Sequence, residues 1–291
     1  MSKTIATHSG MFHADDVFAV ATLLLMYPDA NVVRTRDEEK IRSAEIAVDV
    51  GGEYDPAKML FDHHQQGGAG VRGNAIPYAS FGLVWKQFGE QLAGPEAKQL
   101  IEEKLVMPID AHDNGVSIYT PMFDRIKPYT ITDFFYSFMS YEEEGEEYLM
   151  EVFLKNVGIA KELLKREIDK SRDKIDGMEK VRKIVDAAAD KRIIILDEVL
   201  PWEQILSLTP ESIFVVYPRR EGNWGAKGVP LNSIGFERRK LFPENWAGKT
   251  GGELAEITGV SDAVFVHRGR FMAVAKSKEG ALELAKIALN A

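Results

Sequence analysis

The sequence predicts an α/β protein with an N-terminal parallel-sheet domain, a helical connector and a smaller C-terminal α/β domain. Short apolar runs typical of strands alternate with helical patterns over the first 115 residues, and this alternation indicates a parallel sheet with crossover helices. A segment rich in Glu, Lys and Leu follows, after which strand-like runs return. We therefore place the domains at residues 1–140, 141–190 and 191–291.

Three strands predicted in the first domain each end at a polar residue: residues 4–7 before His8, 46–48 before Asp49, and 59–61 before Asp62. Helices are predicted at residues 17–26, 80–91 and 96–106. The carboxyl ends of parallel strands form the ligand crevice of such sheets. We therefore expect the polar residues that follow these strands to meet in space.

The remaining elements follow from two changes of pattern. Residues 141–184 carry apolar side chains at helical spacing among charged ones, which predicts long connecting helices with solvated faces. Strands are predicted at residues 192–196, 213–217, 263–266 and 271–274, and a closing helix at 278–289. These elements make up the C-terminal α/β domain.

Composition excludes several classes of site. A chain of 291 residues, 45% of them hydrophobic, has enough material for two cores. Cysteine is absent, so any metal must be held by histidine and carboxylate rather than by thiolate. The longest apolar run, residues 17–26, is too short to cross a bilayer, and the N-terminus has no secretory pattern. We expect a cytoplasmic protein that does not enter membranes.

Charge is unevenly distributed along the chain. The net charge of −9 argues against broad affinity for nucleic acid. Residues 215–291 nevertheless hold 12 Lys and Arg against 8 Asp and Glu, a balance of +4. The C-terminal domain is therefore the part that we expect to face an anion.

Histidines beside carboxylates are the main sign of chemistry. Of the six histidines, five lie in the first 112 residues. The loop after the first strand holds His8 and His13 together with Asp15 and Asp16. Imidazole combined with carboxylate suits Mn, Mg, Zn or Fe. The two aspartates also suit the start of a helix, and that alternative stays open.

Two further strand ends carry possible metal ligands. Asp49 precedes Gly51 and Gly52, so it could bridge two cations or simply form a turn. Asp62 is followed by His63 and His64. Because neighbouring side chains diverge, we expect one imidazole to bind metal while the other reaches the substrate.

A fourth motif closes the set. Asp110 follows a predicted helix and could supply the last carboxylate to a second metal. The following Asp113-Asn114-Gly115 is typical of a turn, which is the role we expect for Asn114 and Gly115. His112 is left unassigned.

The order of these motifs resembles the four N-terminal motifs of the DHH phosphoesterase superfamily, which includes manganese-dependent pyrophosphatases, exopolyphosphatases, RecJ-type exonucleases and oligoribonucleases. The residues that match these motifs are, in order, His8 … His13-x-Asp15, Asp49, Asp62-His63-His64 and Asp110. More narrowly, the chain resembles the melanocyte-proliferating-gene family of metal-dependent hydrolases, whose eukaryotic members are described as 3′–5′ RNA exonucleases. This narrower resemblance covers nearly the whole chain and implies a DHH-type N-terminal domain.

Two departures limit what the resemblance implies. Common superfamily members have Asp-x-Asp in the first motif, where this chain has His13-Ala14-Asp15, so metal preference is open. The GGGH signature of many associated C-terminal domains is missing. His267 could replace its histidine or serve as a structural residue.

The resemblance implies a site with two divalent cations, Mn²⁺ by preference or Mg²⁺. One metal is expected on His8, His13 and Asp49, and the other on Asp15, Asp49, His63 and Asp110. His64 is expected to contact a phosphate oxygen, and Asp62 to orient a ligand histidine. Contacts to substrate phosphates are expected from Arg72, Arg219, His267 and Arg268, each of which could instead be only a surface residue.

The predicted function is a two-metal phosphodiesterase or 3′–5′ exonuclease that acts on RNA or short oligonucleotides. One alternative is hydrolysis of a small phosphoanhydride, such as pyrophosphate or a short polyphosphate. An alternative of another class is a metal-stabilised binding module without turnover. The expected partner is a phosphate-containing substrate, single-stranded RNA included, and assembly as a homo-oligomer is left open.

Overall fold

The computed structural model describes residues 2–140, 145–232 and 235–291. The chain divides into two compact units, Met1–Arg172 and Asp173–Ala291. The first four residues of the predicted connector, 141–144, lie outside the described residues. The α/β class that the sequence predicts is confirmed by the mixture of sheets and helices in both units.

The first unit contains a five-stranded sheet of order β2-β1-β3-β5-β4. Its strands are β1 Thr4–Thr7, β2 Asn31–Arg34, β3 Ile46–Val48, β4 Tyr54–Asp55 and β5 Leu60–Phe61. The pairs β1–β2, β1–β3 and β3–β5 are parallel, and β4 is antiparallel to β5. The carboxyl ends of β1, β3 and β5 therefore lie side by side at one edge.

The three strands that the sequence predicts are the three central ones. β1 and β3 are almost wholly buried, and strands buried on both faces appear in the sequence as continuous apolar runs. The two edge strands, β2 and β4, were not predicted. β2 begins with exposed Asn31, and β4 has only two residues, so neither has a pattern that a sequence can reveal.

Helices cover this sheet and carry part of the site. They are α1 Ala14–Met26, α2 Glu38–Ser43, α3 Ser80–Ala93, α4 Pro95–Ile101, α5 Met107–Asp113 and α6 Ile131–Tyr136. A π-helical stretch, Glu102–Val106, joins α4 directly to α5, so the helix predicted at 96–106 continues to Asp113. α1 packs against α3, with the rings of Phe18 and Phe81 stacked at 5.2 Å between centroids.

The predicted connector is one helix over most of its length. α7 spans Glu146–Ala187, which is 42 residues, and it crosses the division between the two units. In the first unit, Phe153 of α7 packs edge-on against Phe12, and Arg172 donates to the carbonyl oxygen of Leu92 at 2.7 Å. Its last turns join the core of the second unit through Met178 and Val181.

The second unit has a mixed five-stranded sheet of order β6-β7-β8-β10-β9. Its strands are β6 Ile193–Ile195, β7 Phe214–Pro218, β8 Trp224–Gly228, β9 Ala263–Val266 and β10 Met272–Ala275. Only the β6–β7 pairing is parallel among the described strands of this sheet. The helices are α8 Glu203–Ser207, α9 Gly251–Thr258 and α10 Lys278–Asn290. β8 was not predicted, because Gly225 and Gly228 interrupt its apolar pattern.

None of the helices in the described ranges is long and apolar enough to span a membrane.

Candidate metal centre

Polar residues from three loops converge at the carboxyl edge of the first sheet. β1 ends before His8, β3 ends before Asp49, and β5 ends before Asp62 and His63. Nε2 of His8 lies 3.4 Å from Oδ2 of Asp49, while Nε2 of His63 lies 3.5 Å from Oδ1 of the same carboxylate. Nδ1 of His64 also lies 3.4 Å from Oδ1, so one aspartate faces His8 through one oxygen and His63 and His64 through the other.

Asp49 occupies the centre of the site. It is 3% exposed, and its φ of 55° lies in the left-handed region, where a non-glycine residue is uncommon. Burial opposes the negative charge, but the attraction of His63 and His8 outweighs it and lowers the pKa of Asp49. The hydroxyl of Ser80 donates to Oδ1 at 3.1 Å. The carboxylate is therefore ionised and held from several directions.

His8 is oriented through its other ring nitrogen. Nδ1 lies 3.2 Å from the carbonyl oxygen of Ser9, and this contact favours the tautomer that leaves Nε2 free to bind a cation. Nε2 also lies 3.1 Å from Oδ2 of Asp16. Burial disfavours the imidazolium, but attraction from Asp16 and Asp49 raises the pKa of His8 to about 10.

His13 is the residue that precedes α1. Its backbone N–H donates to Oδ1 of Asp16 at 2.8 Å, so Asp16 serves as a helix-start residue with one oxygen and faces His8 with the other. Nδ1 of His13 lies 3.8 Å from Oδ1 of Asp113, and its side chain is 40% exposed. The ring lies 5.5 Å from that of His8, measured between centroids.

The imidazoles of His63 and His64 lie close together, although the sequence predicts that they diverge. Their ring centroids lie 4.3 Å apart, because both residues follow β5 rather than alternate along it. Nδ1 of His64 lies 2.7 Å from Oδ1 of Asp62, whose other oxygen accepts from the N–H of Gly52. Asp62 therefore orients His64. The contact with Asp62, opposed by burial, raises the pKa of His64.

The carboxylate beside His63 on α5 is that of Asp113, whereas the sequence predicts Asp110. Nε2 of His63 lies 3.1 Å from Oδ2 of Asp113. Burial disfavours the imidazolium here as well, but attraction from Asp113 and Asp49 raises the pKa of His63 to about 11. Asp110 is fully buried and accepts instead from Arg72 at 2.6 Å and from the N–H of Gly82 at 3.0 Å.

Asp110 is consequently committed to a protein network. Burial raises its pKa to about 7, and Arg72 and the backbone donors only partly offset that effect. Among the described residues it belongs to no group whose ligand atoms converge closely enough to hold a metal. Asp113, one turn later in α5, does belong to such a group, with Asp15 and His63.

Asp15 connects the site to the N-terminus of α3. Its two oxygens accept from the N–H groups of Ser80 and Phe81, at 2.9 and 2.7 Å. Burial, followed by the negative charges of Asp113 and Asp49, raises its pKa. These backbone donors fix the carboxylate next to His63 and Asp113.

Among the described residues, three groups of side chains could each hold a cation: His8, His13 and Asp49; Asp49, His63 and His64; Asp15, His63 and Asp113. The ligand atoms within each group lie within 4.8 Å of one another. Asp49 and His63 each belong to two groups.

Buried polar atoms without hydrogen-bond partners at the same place support metal binding by these groups. Over the described residues, Nε2 of His8, Nε2 of His63 and Oδ2 of Asp16 are buried without a hydrogen-bond partner, although each lies close to an atom of opposite charge. Buried polar atoms are normally satisfied, so such atoms are suited to bind a ligand. Imidazole and carboxylate donors suit a divalent cation such as Mn²⁺ or Mg²⁺. The residues present therefore fit a metal centre.

The predicted substrate contacts are divided between the two units. Arg72 has a 5% exposed side chain and pairs with Glu102 and Asp110, each at 2.6 Å, so its guanidinium is not available to a substrate. Arg219, His267 and Arg268 belong to the second unit. There Arg219 pairs with Glu221 at 3.2 Å, and Nδ1 of His267 accepts from the N–H of Gly269.

Sequence reasoning missed one cation at the site. A cavity of about 280 Å³ opens over the cluster and is lined by His8, His13, Arg36, Asp49, Val50, Gly51, Gly52, Asp62 and His64. Arg36 follows β2 directly after Thr35. Arg36 could have been found by the same signal as the residues of the other loops, namely a polar residue that follows a parallel strand. It was missed because β2 itself was not predicted.

Comparison with known proteins identifies relatives along the full chain. The family model MYG1_exonuc, described as "Uncharacterised protein family (UPF0160)", matches residues 4–289. The MYG1 protein of Dictyostelium discoideum is 32% identical, with 99% of this chain and 96% of that protein covered. The MYG1 exonuclease of Homo sapiens is 29% identical over 98% of this chain and 85% of that protein. The MYG1 protein of Chlamydia muridarum is 32% identical, with coverage of 99% and 97%.

Proposed function

This chain belongs to the MYG1_exonuc family, as the motifs in its sequence predicted, and from that premise we propose that it is a metal-dependent phosphoesterase. The proposed reaction is 3′–5′ exonucleolytic cleavage of phosphodiester bonds in RNA or short oligonucleotides. The observation that carries the proposal is the position of Asp49, whose two oxygens face His8 and His63 separately. A carboxylate placed in this way is suited to bridge two cations.

We assign two metals to this site. His8, His13 and Asp49 hold one, and Asp15, Asp49, His63 and Asp113 hold the other, with Mn²⁺ as the first choice and Mg²⁺ as the second. The convergent groups His8, His13 and Asp49 and Asp15, His63 and Asp113 support this assignment, and Asp49 faces the second group through its Oδ1, 3.5 Å from Nε2 of His63. When bound, such cations lower the pKa of water and polarise a phosphoryl oxygen.

His64 is the residue that we assign to the substrate phosphate. Its side chain is 61% exposed and lines the cavity, and Nδ1 is occupied by Asp62. Because this contact raises the pKa of His64, the imidazolium is favoured and its other nitrogen can donate to a non-bridging phosphate oxygen. A donor at that position stabilises charge where it develops during cleavage. Asp62 acts through His64 as its orienting partner.

The size of the cavity favours a second candidate function. A volume of about 280 Å³ and a net charge of −9 suit a small phosphoanhydride, such as pyrophosphate or a short polyphosphate, better than a long nucleic acid. An exonuclease also needs to admit only one chain end, so both substrates remain in the proposal.

The test is an activity screen with RNA oligomers, dinucleotides and pyrophosphate, each with Mn²⁺ or Mg²⁺. We expect metal-dependent release of product by the wild-type protein and a loss of activity in Asp49→Ala and His63→Ala. Arg166→Gln is the control, since this exposed side chain on α7 pairs only with Glu162 among the described residues. Unchanged activity in both site variants would contradict the proposal. Tight metal binding without turnover would favour the metal-stabilised module instead.

A further inference from the structure

We infer that Arg36 binds the substrate phosphate together with His64, in the cavity over the metal centre. The inference rests on the proposed function, because it assumes that a phosphate group occupies the cavity over Asp49. It goes further by assigning the phosphate contact to the first unit itself, on a residue that no motif includes.

The fold brings Arg36 to this place through a parallel strand pair. β2 pairs with β1 from Thr4–Asn31 to Thr7–Arg34, so the loop after β2 lies beside the loop after β1. Nε of Arg36 donates to the carbonyl oxygen of Ser9 at 3.3 Å, and Nη2 lies 3.5 Å from Nδ1 of His8. On the other side of the same imidazole, Nε2 of His8 lies 3.4 Å from Asp49. One ring width therefore separates the guanidinium from the central carboxylate.

The guanidinium of Arg36 is not committed to a protein carboxylate. Within residues 2–140, 145–232 and 235–291, no aspartate or glutamate forms an ion pair with it. Its contact with Nδ1 of His8 is long, and the tautomer in which Nδ1–H donates to Ser9 cannot accept a hydrogen bond from Arg36. The remaining N–H groups of this exposed side chain are therefore available to a ligand.

Two other arginines of the first unit show the contrast. Arg72 is buried and pairs with Glu102 and Asp110. Arg34 donates to the carbonyl oxygen of Gly10 and lies 4.9 Å from the ring centroid of Phe153. Both are structural, whereas Arg36 lines the cavity.

Phosphate is the ligand that this arrangement suits. A guanidinium presents a planar fork of N–H groups that matches two oxygens of a phosphate. Among the described residues lining the cavity, Arg36 is the one arginine or lysine, and the lining carboxylates Asp49 and Asp62 would otherwise repel an anion. Arg36 therefore supplies a fixed positive charge in the lining of the cavity, where it can bind two oxygens of a phosphate.

The test measures binding of inorganic phosphate by calorimetry to the Mn²⁺-loaded protein, in parallel with KM and kcat for the best substrate. Arg36→Gln should weaken phosphate binding about tenfold to hundredfold, the range for loss of a charge-assisted hydrogen bond. The phosphate affinity of Arg36→Lys should lie between those of the wild type and Arg36→Gln, because lysine keeps the charge but lacks the planar fork of N–H groups. We expect KM to rise by the same factor, with Mn²⁺ content and the thermal midpoint unchanged. Arg166→Gln should match the wild type.

The outcomes separate this inference from the proposed function. Equal phosphate affinity in the wild type and Arg36→Gln would overturn the inference even if the enzyme is active. Failure of the wild-type protein to bind phosphate would also overturn it. If the wild type binds phosphate through Arg36 but cleaves none of the substrates, the inference holds and the proposed reaction fails.

Discussion

Two clusters of side chains in the first unit contain buried carboxylates and differ in the groups that pair with these carboxylates. We call the first the ligand cluster, and it contains His8, His13, Asp15, Asp49, His63 and Asp113. The Arg72 network contains Arg72, Glu102, Asp110 and the N–H of Gly82. In the ligand cluster, imidazole nitrogens are buried without hydrogen-bond partners among the described residues. In the Arg72 network, each oxygen of Asp110 has a donor. Among the described residues, Asp49 and Asp113 face imidazoles instead of an arginine, and such carboxylates are suited to bind a metal.

The largest effect is expected from breaking the Arg72 network. Arg72→Met leaves Asp110 and Glu102 buried without their cation, which costs about 3–5 kcal/mol of unfolding free energy. Urea denaturation measures this loss of unfolding free energy. The amount of Mn²⁺ bound per folded molecule should stay at the wild-type value. A loss below about 1 kcal/mol, the level of an exposed pair, would mean that the network does not hold the fold.

The comparison between Asp110 and Asp113 can be tested directly by matched substitutions. Asp113→Asn removes a carboxylate 3.1 Å from His63 and should weaken Mn²⁺ binding about a hundredfold, at least as much as loss of an orienting partner does. Asp110→Asn should lower stability and leave Mn²⁺ affinity unchanged. Calorimetric titration with Mn²⁺ measures the affinity of both variants. Weaker Mn²⁺ binding in Asp110→Asn, with unchanged binding in Asp113→Asn, would indicate that Asp110 is the ligand.

Metal binding should release protons from the ligand cluster. With pKa values raised to about 10 and about 11, His8 and His63 are protonated at neutral pH in the metal-free protein. A metal needs the neutral imidazole, so it must displace these protons. Apparent affinity should therefore rise with pH, about tenfold per pH unit for each proton released. Calorimetry in buffers of different ionisation enthalpy counts the protons, and an affinity independent of pH from 6 to 9 would contradict this assignment.

The smallest effect is expected at Ser80. Ser80→Ala removes the hydroxyl that donates to Oδ1 of Asp49, which should cost about 1 kcal/mol in stability and leave the central carboxylate less firmly oriented. Ser43→Ala is the control, because Ser43 is exposed and donates only to the carbonyl oxygen of Lys40 among the described residues. Urea denaturation of both variants measures the difference, and equal values would show that Ser80 contributes nothing.

Sequence reasoning identified the parts of the site that depend on the central strands. Asp49 and His63 follow continuous apolar runs, and neighbouring parallel strands must bring such residues together. Arg36 was missed because the short edge strand β2, which begins with exposed Asn31, has no such pattern.

Asp113 was missed for a different reason. The π-helical stretch Glu102–Val106 changes the helical phase between α4 and α5, so the inward face of α5 does not follow from the pattern at residues 96–106. The turn-like sequence after Asp113 also concealed that the helix reaches it. The positions of Arg219, His267 and Arg268 relative to the substrate, the cytoplasmic location and the oligomeric state stay predictions.

The central claim is that the ligand cluster binds divalent metal around Asp49. Crystals grown with Mn²⁺ and measured at the manganese absorption edge would locate it directly. We predict two anomalous peaks that both contact Asp49, one with His8 and His13 and the other with His63 and Asp113. Peaks away from Asp49, or a peak on Asp110 with Arg72 displaced, would contradict the account.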